Sequence, residues 1–125
     1  MSFKEYLGYE DSLLPRLATG FGGGIGRKGS LCGALTGSVM VIGMKGGRAK
    51  PKDQDSKEKV YEATYRFWDS FEKKFGNSQC HLLIGCHLDN EEDRKKWLAA
   101  GGMKRCAEIV ETTAHLLFDF IKEMK

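Results

Sequence analysis

The chain has 125 residues, 41% hydrophobic and 30% charged, with four cysteines and a formal net charge of +3. That length suits a single domain, residues 1–125, whose core needs no disulfide or metal staple. The charge is too mild to argue for nucleic acid. The longest apolar run, Leu31 to Met44, is about four residues short of the roughly 18 that suggest a membrane span.

In chain order, Ser2 to about Thr19 reads as weakly helical, in two short pieces, because Pro15 favours a break or a helix start. Gly20 to Gly29 reads as a loop, since so many glycines cost backbone entropy in any regular element. Ser30 is the expected N-cap of a helix from Leu31 to about Lys45. That helix is apolar almost all round, which predicts burial. Gly33 and Gly37, four apart, should let another helix come close. Ala49 to Asp55 reads as a linker, and Asp55 or Ser56 as the start of a long helix to Phe75. Its inner face is Val60, Ala63, Phe67, Phe71 and Phe75, with Tyr61 and Trp68 beside it. Ser78 is the expected cap of a short helix, Gln79 to Ile84. Asn90 opens another towards Gly101-Gly102. The last helix, Met103 to Met124, carries the stripe Met103, Cys106, Val110, Thr113, Leu117, Phe120 and Met124. No segment alternates as a strand does, so the predicted fold is all-α, a compact bundle of five to six helices around a glycine-rich one.

Met1 is followed by polar residues rather than an apolar signal segment. The expected compartment is therefore a reducing cytoplasm, where stable disulfides are rare. The four cysteines, Cys32, Cys80, Cys86 and Cys106, then need another reason. With Ser30 as cap, Cys32 is the second residue of its helix, near Arg27 and Lys28. Free N–H groups, the helix dipole and basic neighbours favour a thiolate there, a nucleophile and metal ligand. The plain alternative is a small buried residue in a tight helix, and Cys106, on an apolar stripe, reads that way on spacing. Cys80-His81 and Cys86-His87 form a doublet of soft and borderline ligands, but its spacing fits neither a zinc finger nor covalent haem attachment.

Gly24-Ile-Gly-Arg-Lys-Gly29 matches G-x-G-x-x-G, yet no strand precedes it, so a dinucleotide fold is not supported. Gly24, Gly26, Arg27 and Lys28 could still hold a small anion or an anionic cofactor. His115 falls off the apolar stripe and reads as a solvated residue.

The segment ATGFGGGIGRKGSLCGALTGSVMVIGM, with Cys32-Gly33-Ala34-Leu35-Thr36-Gly37, resembles the C-GCAxxG-C-C family, described as redox-active. Cys80 in SQCHLLIG and Cys106 in KRCAEIVETTAHLL stand in the family's order. The family pattern begins with a cysteine upstream of the glycine loop; residues 1–31 contain none, and Cys86 has no family counterpart. A related helical domain in a multihaem cytochrome keeps electron transfer in view. The resemblance implies redox work by Cys32, Cys80 and Cys106, through a reversible disulfide or electron transfer, with a redox partner protein. The alternative is a zinc or iron–sulfur module ligated by Cys32, Cys80 and Cys106 with Cys86, His81 or His87. A further alternative is a helical interaction domain without chemistry. Glycine-faced apolar helices also suggest a homodimer.

Overall fold

The computed structural model describes residues 3–8 and 12–124. Two short helices, α1 (Phe3–Tyr6) and α2 (Leu13–Ala18), lead through a 3₁₀ turn (Thr19–Phe21) to α3 (Gly22–Ile25), a single turn. Then come α4 (Gly33–Gly46), α5 (Gln54–Phe75), α6 (Cys80–Ile84), α7 (Glu91–Ala99) and α8 (Met103–Glu123). The predicted all-α class holds: among the described residues the only strand-like feature is one isolated bridge, Leu31 to Gln79. No helix of the described residues is long and apolar enough to cross a membrane.

Three stripes make the core. Ala63, Phe67 and Phe71 of α5, spaced by four, lie under Leu35 and Ile42 of α4 and Ile109, Leu117 and Ile121 of α8, with Leu83 of α6 closing one end. Phe71 and Ile42 are fully buried, and Phe67 meets Phe120 edge to face at 5.3 Å. Burying each such side chain contributes about 1.5–3 kcal/mol, and truncating Phe71 to alanine would cost about 3–5 kcal/mol.

The structure moves several expected boundaries and faces. Asp53, not Asp55 or Ser56, caps α5: its carboxylate accepts from the Ser56 N–H at 3.1 Å and the Ser56 hydroxyl at 2.7 Å. Asn77, not Ser78, prepares α6, its side-chain oxygen accepting from the N–H groups of Ser78 and Gln79, both at 2.8 Å. Asn90 caps α7 as expected, accepting from the Asp93 N–H. On α8 the buried stripe is Ile109, Thr113, Leu117 and Ile121. Met103 and Val110 face outward: the buried face is the one that meets α4 and α5, and at this end of the helix it runs through Ile109, one position from Val110. His115 is exposed.

On α4 only Leu35, Ser38 and Ile42 are buried. Gly33 and Gly37 are exposed, and a side chain at Gly37 would meet nothing within 4 Å. The close helix contact expected at these glycines is not seen: they line a cavity with Phe3 of α1 and Val110 and Ala114 of α8. α4 instead meets α5 and α8 through its larger side chains.

Candidate functional site

The glycine-rich run is not a floppy loop. Gly23, Gly24, Ile25, Gly26 and Arg27 all have φ between 57° and 68°, so five consecutive residues wind in the left-handed sense. Such a conformation costs an L-residue about 1–2 kcal/mol, which explains three glycines and leaves Ile25 and Arg27 strained. The turn holds itself together. The N–H groups of Gly26, Gly29 and Ser30 donate to the carbonyls of Gly20, Gly23 and Gly24 at 2.9–3.1 Å, and Lys28 N–H donates to Ile25.

The turn delivers residues 30–32 to the start of α6. Cys32 N–H donates to the Ser78 carbonyl at 2.9 Å, and Cys80 N–H donates to the Ser30 carbonyl, around the antiparallel Leu31–Gln79 bridge. This pairing keeps residues 30–32 extended and delays α4. Cys32 is therefore its N-cap, with φ −59° and ψ 133°, rather than its second residue behind a Ser30 cap. Its carbonyl accepts from Leu35 and Thr36, while its thiol makes no capping bond. The register sets Cys32 opposite Ser78 and Cys80 opposite Ser30, so the two cysteines are diagonal neighbours on the ladder.

Gly24 makes this closeness possible. A side chain there would stand 2.6 Å from Cys80 Cβ and 2.7 Å from Ser30 N. Cys80 is 6% exposed, and burial, then the neighbouring thiols Cys32, Cys106 and Cys86, pushes it up to about 11. Burial, then Cys32, likewise pushes Cys106 upward. Cys32 and Cys106 are both half-buried. Cys32, Cys80 and Cys106, far apart in sequence, thus converge closely enough to sense one another's charge. All four cysteines are free thiols.

Cys86 is buried with Cys80 and Leu88 in a small apolar cluster below this group. Burial, then Asp93, pushes its thiol up. His81 sits on Gly29: its Nδ1 lies 2.6 Å from the Gly29 carbonyl, which can only accept, so Nδ1 carries the hydrogen. The His81 ring stacks on His87 at 5.1 Å. The six expected metal donors therefore sort into a thiol group and a stacked imidazole pair. Among the described residues no three His, Cys, Asp or Glu side chains stand together as a cation-holding group.

The expected anion-binding residues also separate. Gly24 is buried under Cys80. Lys28 is exposed, while Gly26 and Arg27 line a cavity of about 520 Å³ with Gly22, Gly23, Arg94 and Trp97. The sequence carries no signal for Arg94 or Trp97 here, because they lie on a charged helix far along the chain and only the fold carries it to the glycine turn.

Comparison with curated proteins and with solved structures finds no match. A family model described as "Putative redox-active protein (C_GCAxxG_C_C)" matches residues 1–120. The glycine turn, the Cys-Gly-Ala-x-x-Gly start of α4 and the two later cysteines that fold back onto it all lie within that match, and the chain belongs to the C_GCAxxG_C_C family.

Proposed function

We propose that the protein is a thiol–disulfide redox protein in which Cys32 reacts first and Cys80 resolves. The observation that carries this reading is the backbone ladder that makes Cys32 and Cys80 diagonal neighbours, with Cys106 in electrostatic reach of both. Cys32 is the half-buried member, at the N-terminal end of α4, where a partner sulfur can reach it before Cys80. Cys80 is buried and held neutral, which suits a thiol that acts only after its partner has been engaged.

The step balances as disulfide exchange. Cys32 sulfur, having given its proton to solvent, attacks one sulfur of a partner disulfide, and the other partner sulfur leaves as a thiolate. Cys80 then loses its proton, attacks Cys32 sulfur, and releases the second partner thiolate. The protein dithiol is oxidised to a disulfide while the partner disulfide is reduced to two thiols; the reverse direction oxidises the partner. Rates should rise with pH, since the resolving thiol must ionise from a raised value.

The test equilibrates reduced protein with mixtures of reduced and oxidised glutathione, blocks remaining thiols, and maps peptides by mass. A Cys32–Cys80 link that titrates reversibly is the expected result. In Cys80→Ser, the link should pass to Cys32–Cys106. A protein whose Cys32, Cys80 and Cys106 form no intramolecular link under fully oxidised glutathione would sink the proposal.

A further inference from the structure

A second cavity lies between the glycine turn and α7, and no cysteine lines it. Its volume, about 520 Å³, falls in the range of small-molecule pockets. Two arginines, Arg27 and Arg94, line it, and no aspartate or glutamate among the described residues does. Among the described residues the ion pairs are Glu62–Arg66 and Glu91–Lys95, so neither arginine is paired with a described acid. Of the three acids in the first turn of α7, Glu91, Glu92 and Asp93, none lines this cavity; Glu91 pairs with Lys95, and Asp93 lines the neighbouring cavity beside Cys86.

Each arginine is placed by the fold. Arg94 Nη1 donates to the Leu88 carbonyl at 3.0 Å, which orients the head and leaves the rest of the fork available. Arg27 is presented by a left-handed backbone with φ 66°, and its stem lies across Gly23, where a side chain would stand 3.0 Å from Arg27 Cγ. Trp97 supplies a flat wall. It is seated on Gly102, where any Cβ would collide with its ring, and Leu88, Leu98 and Met103 add apolar surface. The N–H groups of Gly26, Arg27, Lys28, Gly29 and Ser30 are already bonded within the turn, which leaves the two arginines as the cationic donors of the cavity.

We propose that this cavity binds a small organic anion with a flat apolar body, its carboxylate or phosphate head between Arg27 and Arg94 and its body against Trp97. The inference holds whether or not the cysteines exchange disulfides.

The test titrates the full chain with naphthoate, followed by nitrogen–proton NMR. The amides of Gly22, Gly23 and Gly26 and the Trp97 indole N–H should shift together along one saturation curve. Neutral naphthamide should bind at least about tenfold more weakly, and Arg27→Gln should weaken naphthoate by a similar factor. Arg27 is exposed, so its loss spares the core; Trp97→Phe, which keeps a ring on Gly102, should weaken binding less. Naphthyl phosphate, run in parallel, identifies the preferred head. Neither anion binding, naphthamide binding as tightly as naphthoate, or shifts confined to the Tyr61–Trp68 face of α5 with Arg27→Gln without effect, would each overturn the proposal.

Discussion

Replacing Gly24 with alanine probes the contact that seats Cys80. The residue has φ 67°, and the new methyl would stand 2.6 Å from Cys80 Cβ, 2.7 Å from Ser30 N and 2.8 Å from Gly29 C. Comfortable carbon contacts lie at about 3.5–4.0 Å, and two of the three neighbours are backbone, so the turn and the ladder must separate. The left-handed conformation costs alanine about 1–2 kcal/mol and the overpacking about 1–3 kcal/mol more, for a total of about 2–5 kcal/mol. Gly26→Ala is the matched control. Its φ is 57°, but nothing lies within 4 Å, so only the conformational cost of about 1–2 kcal/mol applies. Urea unfolding of the reduced proteins measures both. Gly24→Ala should lose about 1–3 kcal/mol more than Gly26→Ala. It should also slow formation of the Cys32–Cys80 link, whereas Gly26→Ala should not. Equal losses in the two variants would refute the close packing of the turn against Cys80.

Ile25 has φ 68° and is 41% exposed, so Ile25→Gly trades about 1–2 kcal/mol of left-handed cost against partial burial and glycine entropy, and the urea midpoint should change by less than about 1 kcal/mol. A loss of about 2 kcal/mol or more would show that Ile25 is not left-handed. Thr113 is 2% exposed and its hydroxyl has no hydrogen-bond partner among the described residues, so Thr113→Val should stabilise by about 1 kcal/mol or more; destabilisation would reveal a partner for that hydroxyl. The pH dependence has a definite sign. Folding raises Cys80 from 9.0 to about 11, so its contribution is complete below about pH 9 and is lost as pH rises through about 11. The urea midpoint of reduced protein should fall across that window, and Cys80→Ala should flatten the fall. A fall that is unchanged in Cys80→Ala would contradict the burial of that thiol.

The long helices were legible because their signal is local. Ala63, Phe67 and Phe71 repeat with the helix period, and Gly76 stops α5 where expected. Caps were less legible, since Asp53, Asp55 and Ser56 are all good N-caps and only the chain's exit angle from the linker chooses among them. The glycine run could be read as irregular, but its handedness could not, because Ile25 and Arg27 oppose the conformation that their neighbours allow. The start of α4 was misplaced by two residues for a related reason. A ladder to Ser78 and Cys80, far along the chain, overrides the local capping preference of Ser30. The convergence of Cys32, Cys80 and Cys106 was available only through family resemblance. Spacing alone reads Cys32 and Cys106 as core residues, and that reading is half right, since both are half-buried.

The Leu31–Gln79 bridge joins segments separated by the whole α4–α5 hairpin. A covalent tie between Cys32 and Cys80 would close a ring of about 50 residues around that hairpin. By chain entropy such a ring removes about 4 kcal/mol of freedom from the unfolded chain. The hairpin would therefore act as a gauge of redox poise. Oxidised molecules would resist proteases that cut within α4 and α5, where cleavage needs unfolding, and reduced molecules would be the ones a cell could clear.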